Sequence, residues 1–227
     1  MAGTAAGTAT ATTSTAGAPG VPAAAFVSSI FPNTGELEAI AGWVQADFPA
    51  FAGRAVKFER CYSMAESGDG GLAKGFHAGC DGKGPTVTVL KTTHPEGHIF
   101  GGAADKSWTS TGTYAASEAS FLFCVSCAGA APGAAPSQLK LTGDYNQYAL
   151  LHNMAQGPTF GRGSDLFVTN NAGGRGTHAT ATWTRSSFSA LGDSYTCPAG
   201  VENCDEYLAG SRDFAVADYE VFVATAE

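Results

Sequence analysis

The sequence predicts a mainly β fold of the α+β type: two antiparallel sheets packed as a sandwich, with flanking helices. From Gly82 onward the apolar residues recur with period two in short runs rather than at helical spacing. Short strands joined by glycine-rich connections favour an antiparallel sandwich over a parallel α/β sheet. Ahead of them, Leu37, Ile40, Ala41, Val44 and Phe48 fall at helical spacing and supply a flanking amphipathic helix.

In chain order, residues 1–32 read as an Ala/Thr/Gly-rich tail with no apolar period, flexible or held by a partner. Residues 33–54 form the helix region, where Asn33 and Thr34 can cap the first turn and Glu36 follows as in a capping box. Residues 55–227 form the main domain. Val56–Tyr62 reads as a strand. Gly68-Asp-Gly-Gly then turns into a short helix with Leu72, Phe76 and Cys80 on one face. Thr86–Leu90 alternates polar and apolar, Pro95-Glu96-Gly97 turns the chain, and His98–Gly102 returns it as a hairpin. Further strands are expected at 120–125, 138–142, 165–169, 177–184 and 214–223, with Ala128–Pro136 as a surface loop.

Composition excludes several classes. In the 227 residues, 44% are hydrophobic and only 14% charged, against about 25% charged in ordinary soluble domains, so wholesale disorder is out. The net charge is −8 and no Lys/Arg cluster tracks a phosphate backbone, which excludes nucleic acid as a partner. No stretch reaches the roughly 18 apolar residues of a membrane span, so no transmembrane segment is expected. The first charged side chain is Glu36, which leaves the amino end without the basic start of a secretory signal. The chain accordingly reads as cytoplasmic, with a cilium or the extracellular space as alternative.

Candidate chemistry is sparse. The six cysteines are compatible with three disulfides or with buried thiols, and they are read as thiols because a domain of this size needs no staples. Cys197 and Cys204 bracket a turn-rich loop and suit a bridge or two thiols equally. Cys124-x-x-Cys127 has redox or zinc spacing but lacks a second pair, and on one continuous strand the two would face opposite sides. His94 and His98 read as exposed turn histidines, because Pro95 and Gly97 break the helix that a zinc-protease motif requires. His77 and His152 read as packed. Glu118, Asp165, Asp213, Asp218 and Glu220 read as solvated carboxylates beside strands. No hydrolase elbow, phosphate loop or metal-ligand set emerges, so no cofactor and no metal are expected.

Several segments nonetheless occur in a specific order: Asp81-Gly-Lys-Gly-Pro-Thr86, Ile99-Phe-Gly-Gly102 before Ser107-Trp108, Glu118-Ala-Ser-Phe-Leu-Phe123, Gly157-Pro-Thr-Phe-Gly161 with Asp165-Leu166, Tyr207-Leu-Ala-Gly-Ser211 and Asp218-Tyr-Glu-Val-Phe222. Together they resemble a TLDc domain over about residues 55–224. The resemblance implies a sandwich of two antiparallel sheets with Phe100, Trp108, Phe121, Phe123, Phe160 and Phe222 in its core. It also implies a non-enzymatic protein-interaction module, associated with the V-type proton ATPase and with protection from oxidative stress. Gly101, Gly102, Glu118, Ser120 and Glu220 occupy motif positions and are the binding candidates the resemblance offers. Two other readings stand beside it: a structural subunit of a ciliary or extracellular assembly, and a thiol-based antioxidant enzyme using Cys124 or Cys127.

Overall fold

The computed structural model describes residues 27–31, 34–173 and 186–227; the tail 1–26, the capping Asn33 and the strand expected at 177–184 lie outside them. The helix α1 (Thr34–Asp47) leads into β1 (Val56–Ser63), the short α2 (Met64–Ser67) and α3 (Ala73–Cys80). Then come β2 (Thr86–Thr92), β3 (Ile99–Ala104), β4 (Thr113–Ala115), β5 (Phe121–Ser126) and β6 (Ser137–Lys140). Next are β7 (Leu150–His152), β8 (Thr159–Phe160), β9 (Leu166–Phe167), β10 (Ser187–Ser189), β11 (Asp213–Phe214) and β12 (Val216–Ala226). All pairings are antiparallel: one sheet runs β1-β12-β2-β3-β5-β6 and the other β11-β10-β9-β8-β7-β4. The expected mainly β, two-sheet architecture with flanking helices is the one observed.

The period-two pattern sorts side chains into two cores. Leu90, Phe100, Leu122, Tyr219 and Val221 point from the first sheet toward Trp108, Phe160, Leu166 and Tyr195, filling the space between the sheets. The alternate residues Val87, Val89, Phe121, Phe123 and Phe222 face the other way and are covered by Leu37, Ile40, Val44 and Phe48. Six of the seven β2 residues are therefore buried, because α1 roofs the face that an uncovered antiparallel sheet turns to water. Phe121, Phe123 and Phe222 accordingly lie under the helix, not in the inter-sheet core expected of them.

Four departures from the sequence reading have physical reasons. Within the segment read as a tail, Ile30 and Phe31 are buried against the α1 layer, so residues 28–31 are docked on the domain while Val27 is exposed. The strand expected at 214–223 is two strands: β11 joins the second sheet and β12 the first, so the chain changes sheets around Ala215. On α3, Phe76 and Cys80 are buried while Leu72, just before its first turn, is exposed.

The fourth concerns the cysteines expected as thiols, which are paired as Cys61–Cys80 and Cys124–Cys127; Cys197 and Cys204, for which a bridge and two thiols were equally open, are bridged as well. Their Cα separations of 5.2, 5.7 and 5.7 Å fall within bridging range. The first bridge pins α3 to β1 at the point where the β1–β12 register shifts between Arg60 and Tyr62. The second forms because β5 ends at Ser126, which frees Cys127 from the strand's alternation.

Candidate functional site

Glu220 sits in the middle of β12, paired with Ser63 of β1 on one side and Val89 of β2 on the other, and it is fully buried. Its carboxylate accepts from the Ser28 hydroxyl, from the Ser29 N–H at 3.2 Å and hydroxyl at 3.0 Å, and from the Arg60 guanidinium at 2.6 Å. Two carboxylate oxygens offer about four lone-pair sites, so these donors fill its capacity. Arg60 also forms an ion pair with exposed Glu66, and both line a shallow depression of about 380 Å³ with Tyr62, Ser63 and Ser67. On the same strand, Asp218 accepts from the Ala65 N–H at 3.2 Å, and burial, joined by the nearby negative charge of Glu220, pushes its carboxyl above the ordinary range. The expectation of a solvated Glu220 is thus corrected: the side chain is a buried tie between residues 28–29, β1 and β12.

Gly101 and Gly102 lie inside β3, buried between β2 and β5. A Cβ at Gly101 would stand 2.0 Å from the Thr88 carbonyl oxygen and 2.7 Å from the Phe123 ring. At Gly102 it would stand 2.7 Å from the Phe160 ring and 2.8 Å from Leu122. The missing side chain at Gly102 lets Phe160 of the second sheet settle directly onto β3, and the one at Gly101 makes room for Phe123 on the opposite face.

Glu118 and Ser120 flank one turn but face different environments. Ser120 is buried; its hydroxyl donates to Asp105 Oδ1 at 2.8 Å and accepts the Asp105 N–H at 3.1 Å. Glu118 is exposed and accepts from Asn146 Nδ2 at 2.6 Å. It lies on the rim of a second depression of about 330 Å³, lined also by Asp47, Lys140, Thr142 and Asn146. Across that rim Lys140 pairs with Asp47 at 3.1 Å, and Gln138 donates to the same carboxylate at 2.7 Å. The end of α1, the turn before β5 and the edge strand β6 thus meet in one mixed-charge, open surface.

Compared with known protein families, residues 33–225 match the TLDc domain. The chain belongs to the TLDc domain family. A comparison with curated proteins finds no match.

Within this TLDc domain the motif glycines and carboxylates acquire physical roles that sequence reading did not reach. Asp165, expected to be solvated, is fully buried and accepts the backbone N–H groups of Asp193, Ser194 and Tyr195 at 3.2, 3.1 and 3.0 Å. Burial pushes its carboxyl up to about 6, against the opposing pull of those three donors. Gly161 explains itself by the same group: its φ of +85° is left-handed, and a Cβ there would meet Asp165 Oδ2 at 1.9 Å. Asp165 therefore anchors the 193–195 turn. Asp213, by contrast, is exposed as expected.

Ser28, Ser29 and Arg60 were invisible as site residues, because their bonds to Glu220 join positions 160 to 192 apart in sequence. The histidine expectations divide. His77 and His152 are packed: His77 bonds Asp81 at 2.8 Å through Nδ1, and His152 Nδ1 accepts the Thr109 N–H at 3.0 Å. His94 is exposed as expected, but His98 is buried, and the two rings stack with centroids 4.8 Å apart. Burial lowers the affinity of the His98 ring for a proton, reinforced by the neighbouring His94.

Proposed function

We propose that this TLDc domain acts by binding another protein rather than by catalysis, through the open surface around Glu118. One observation carries the reading: of the five motif positions, Gly101, Gly102, Ser120 and Glu220 are buried and Glu118 alone is exposed. The buried carboxylates Glu220 and Asp165 are occupied by donors of their own chain, a structural use of charge that supports binding over acid–base chemistry. Around Glu118, Lys140 and Asp47 supply both signs of charge at the rim, which suits electrostatic steering of a protein partner.

Membership of the family makes the V-type proton ATPase the partner to try first, with protection from oxidative stress as the other role to test. Mixing the purified domain with that ATPase tests it. Binding that weakens at least tenfold in Glu118→Arg, at an unchanged thermal midpoint, is the expected result. Absence of binding by the unaltered domain removes this partner, and binding indifferent to Glu118→Arg removes this surface.

A second reading is favoured by the three disulfides. Such bridges persist in oxidising compartments, so they support an extracellular or luminal structural subunit rather than a cytoplasmic regulator. Thiol titration of the denatured native protein separates the two: six reactive thiols support the cytoplasmic reading and none the extracellular one. The antioxidant alternative requires Cys124 or Cys127 as a thiolate at the surface, and both side chains are buried and paired with each other.

A further inference from the structure

The turn between β2 and β3 brings together three side chains that none of the roles above uses. Gly97 N–H donates to the His94 carbonyl at 2.7 Å, closing a four-residue turn, and Thr92 N–H donates to the His98 carbonyl at 3.0 Å, closing the hairpin around it. Pro95 fixes one backbone angle inside the turn, and Gly97 takes the left-handed φ of +63° that returns the chain. Residues 94, 96 and 98 then converge: one donor atom from each of His94, Glu96 and His98 lies within 4.8 Å of the others. His98 Nε2 and Glu96 Oε2 are 3.9 Å apart.

His98 is the fixed point of the group. Its side chain is 6% exposed and tucked under the turn, while the Glu96 carboxylate that faces Nε2 stands beyond hydrogen-bonding distance. A second loop meets this nitrogen at Gly210, where a Cβ would stand 3.8 Å from Nε2.

We propose that the β2–β3 hairpin binds one divalent transition-metal ion of the zinc class through His98 Nε2, a ring nitrogen of His94 and the Glu96 carboxylate. Two imidazoles and a carboxylate match the borderline-soft preference of such ions, and three protein donors leave one tetrahedral position for water. Zinc–nitrogen and zinc–oxygen bonds of about 2.0–2.2 Å place neighbouring donors roughly 3.4 Å apart. The present separations are therefore about 0.5–1.5 Å too wide. That closure falls to the exposed Glu96 and His94, whose ring gives up a 3.3 Å bond from the Glu96 N–H and shifts on its stack with His98, while buried His98 stays in place.

The test is calorimetric titration of ZnCl₂ into the disulfide-intact protein in a non-chelating buffer, repeated with Glu96→Gln, His94→Ala and His98→Ala. The expected result is one equivalent bound, weakened at least tenfold in each variant. Glu96 and His94 are exposed, so those two variants keep the fold and the comparison stands even if His98→Ala unfolds. Cobalt(II) gives a second readout, a visible absorption band of a tetrahedral site that disappears in His94→Ala. No binding of zinc by the unaltered protein overturns the proposal, as does binding of unchanged strength in Glu96→Gln and His94→Ala.

Discussion

Replacing Glu220 by alanine removes in one step the acceptor of the Ser28 hydroxyl, the Ser29 N–H and hydroxyl, and the Arg60 guanidinium. Hydrogen bonds to a charged group contribute about 1.5–3 kcal/mol each, but the contributions do not add here. The two serines regain water when they swing free, and Arg60, 28% exposed, retains Glu66. The cost to the whole domain is about 3–5 kcal/mol, the scale for breaking a buried charged pair.

The local effect is more diagnostic. The docking of residues 28–29 should lose about 2–3 kcal/mol, because the bonds to Glu220 that hold them are gone. At 1.4 kcal/mol per tenfold, the Ser29 amide should exchange with solvent roughly 30- to 150-fold faster. Ile30 and Phe31 remain buried in the α1 layer, so the increase should fade along the segment. Native-state hydrogen exchange reads Ser29 directly, with β2 amides as internal reference. Unchanged exchange at Ser29 in Glu220→Ala, or an equal rise at Ser29 and throughout β2, refutes the argument that Glu220 ties down the amino-terminal segment.

Gly102→Val should destabilise by about 1–3 kcal/mol, read from the urea midpoint, since its Cβ would press on the buried Phe160 ring at 2.7 Å. Removing the Cys61–Cys80 bridge by a double serine substitution should cost about 3 kcal/mol through the entropy of a 20-residue loop, seen as a lower thermal midpoint; an unchanged midpoint would count against the pairing. Asp165 gives a pH signature. Its folded value of about 6 lies above the ordinary 3.8, so the folded state holds the proton more tightly. Its contribution to stability is full below about pH 4 and is lost as pH rises through 6, by about 3 kcal/mol in total. Urea midpoints between pH 4.5 and 7.5 should show this fall, and Asp165→Asn should flatten it. A contribution that instead grows with pH would show that the three backbone donors outweigh burial.

The sequence alone determined the class of the fold, because strand alternation and helix period are local properties of the chain. Val87 and Val89 alternate with Thr88 and Leu90 whether or not anything covers them, and Leu37, Ile40 and Val44 form a stripe before α1 finds a sheet. The ordered motifs likewise announced the family over most of the chain. The brief strands β4, β7, β8 and β10, of two or three residues each, carried no such signal, since a period cannot be read in so few positions.

Which face is inside was settled in three dimensions. Phe123 and Leu122 are equally apolar neighbours, yet one packs under α1 and the other between the sheets, and only the placement of the helix decides that both are covered. The same holds for charge. Glu118 and Glu220 look alike as residues beside strands, but one stands in solvent and the other is enclosed by Ser28, Ser29 and Arg60 from distant parts of the chain. Cysteine pairing follows the same rule: Cys61 and Cys80 are joined because α3 folds back on β1. Burial, pairing and saturation depend on neighbours that approach through space, and linear order does not encode their distance.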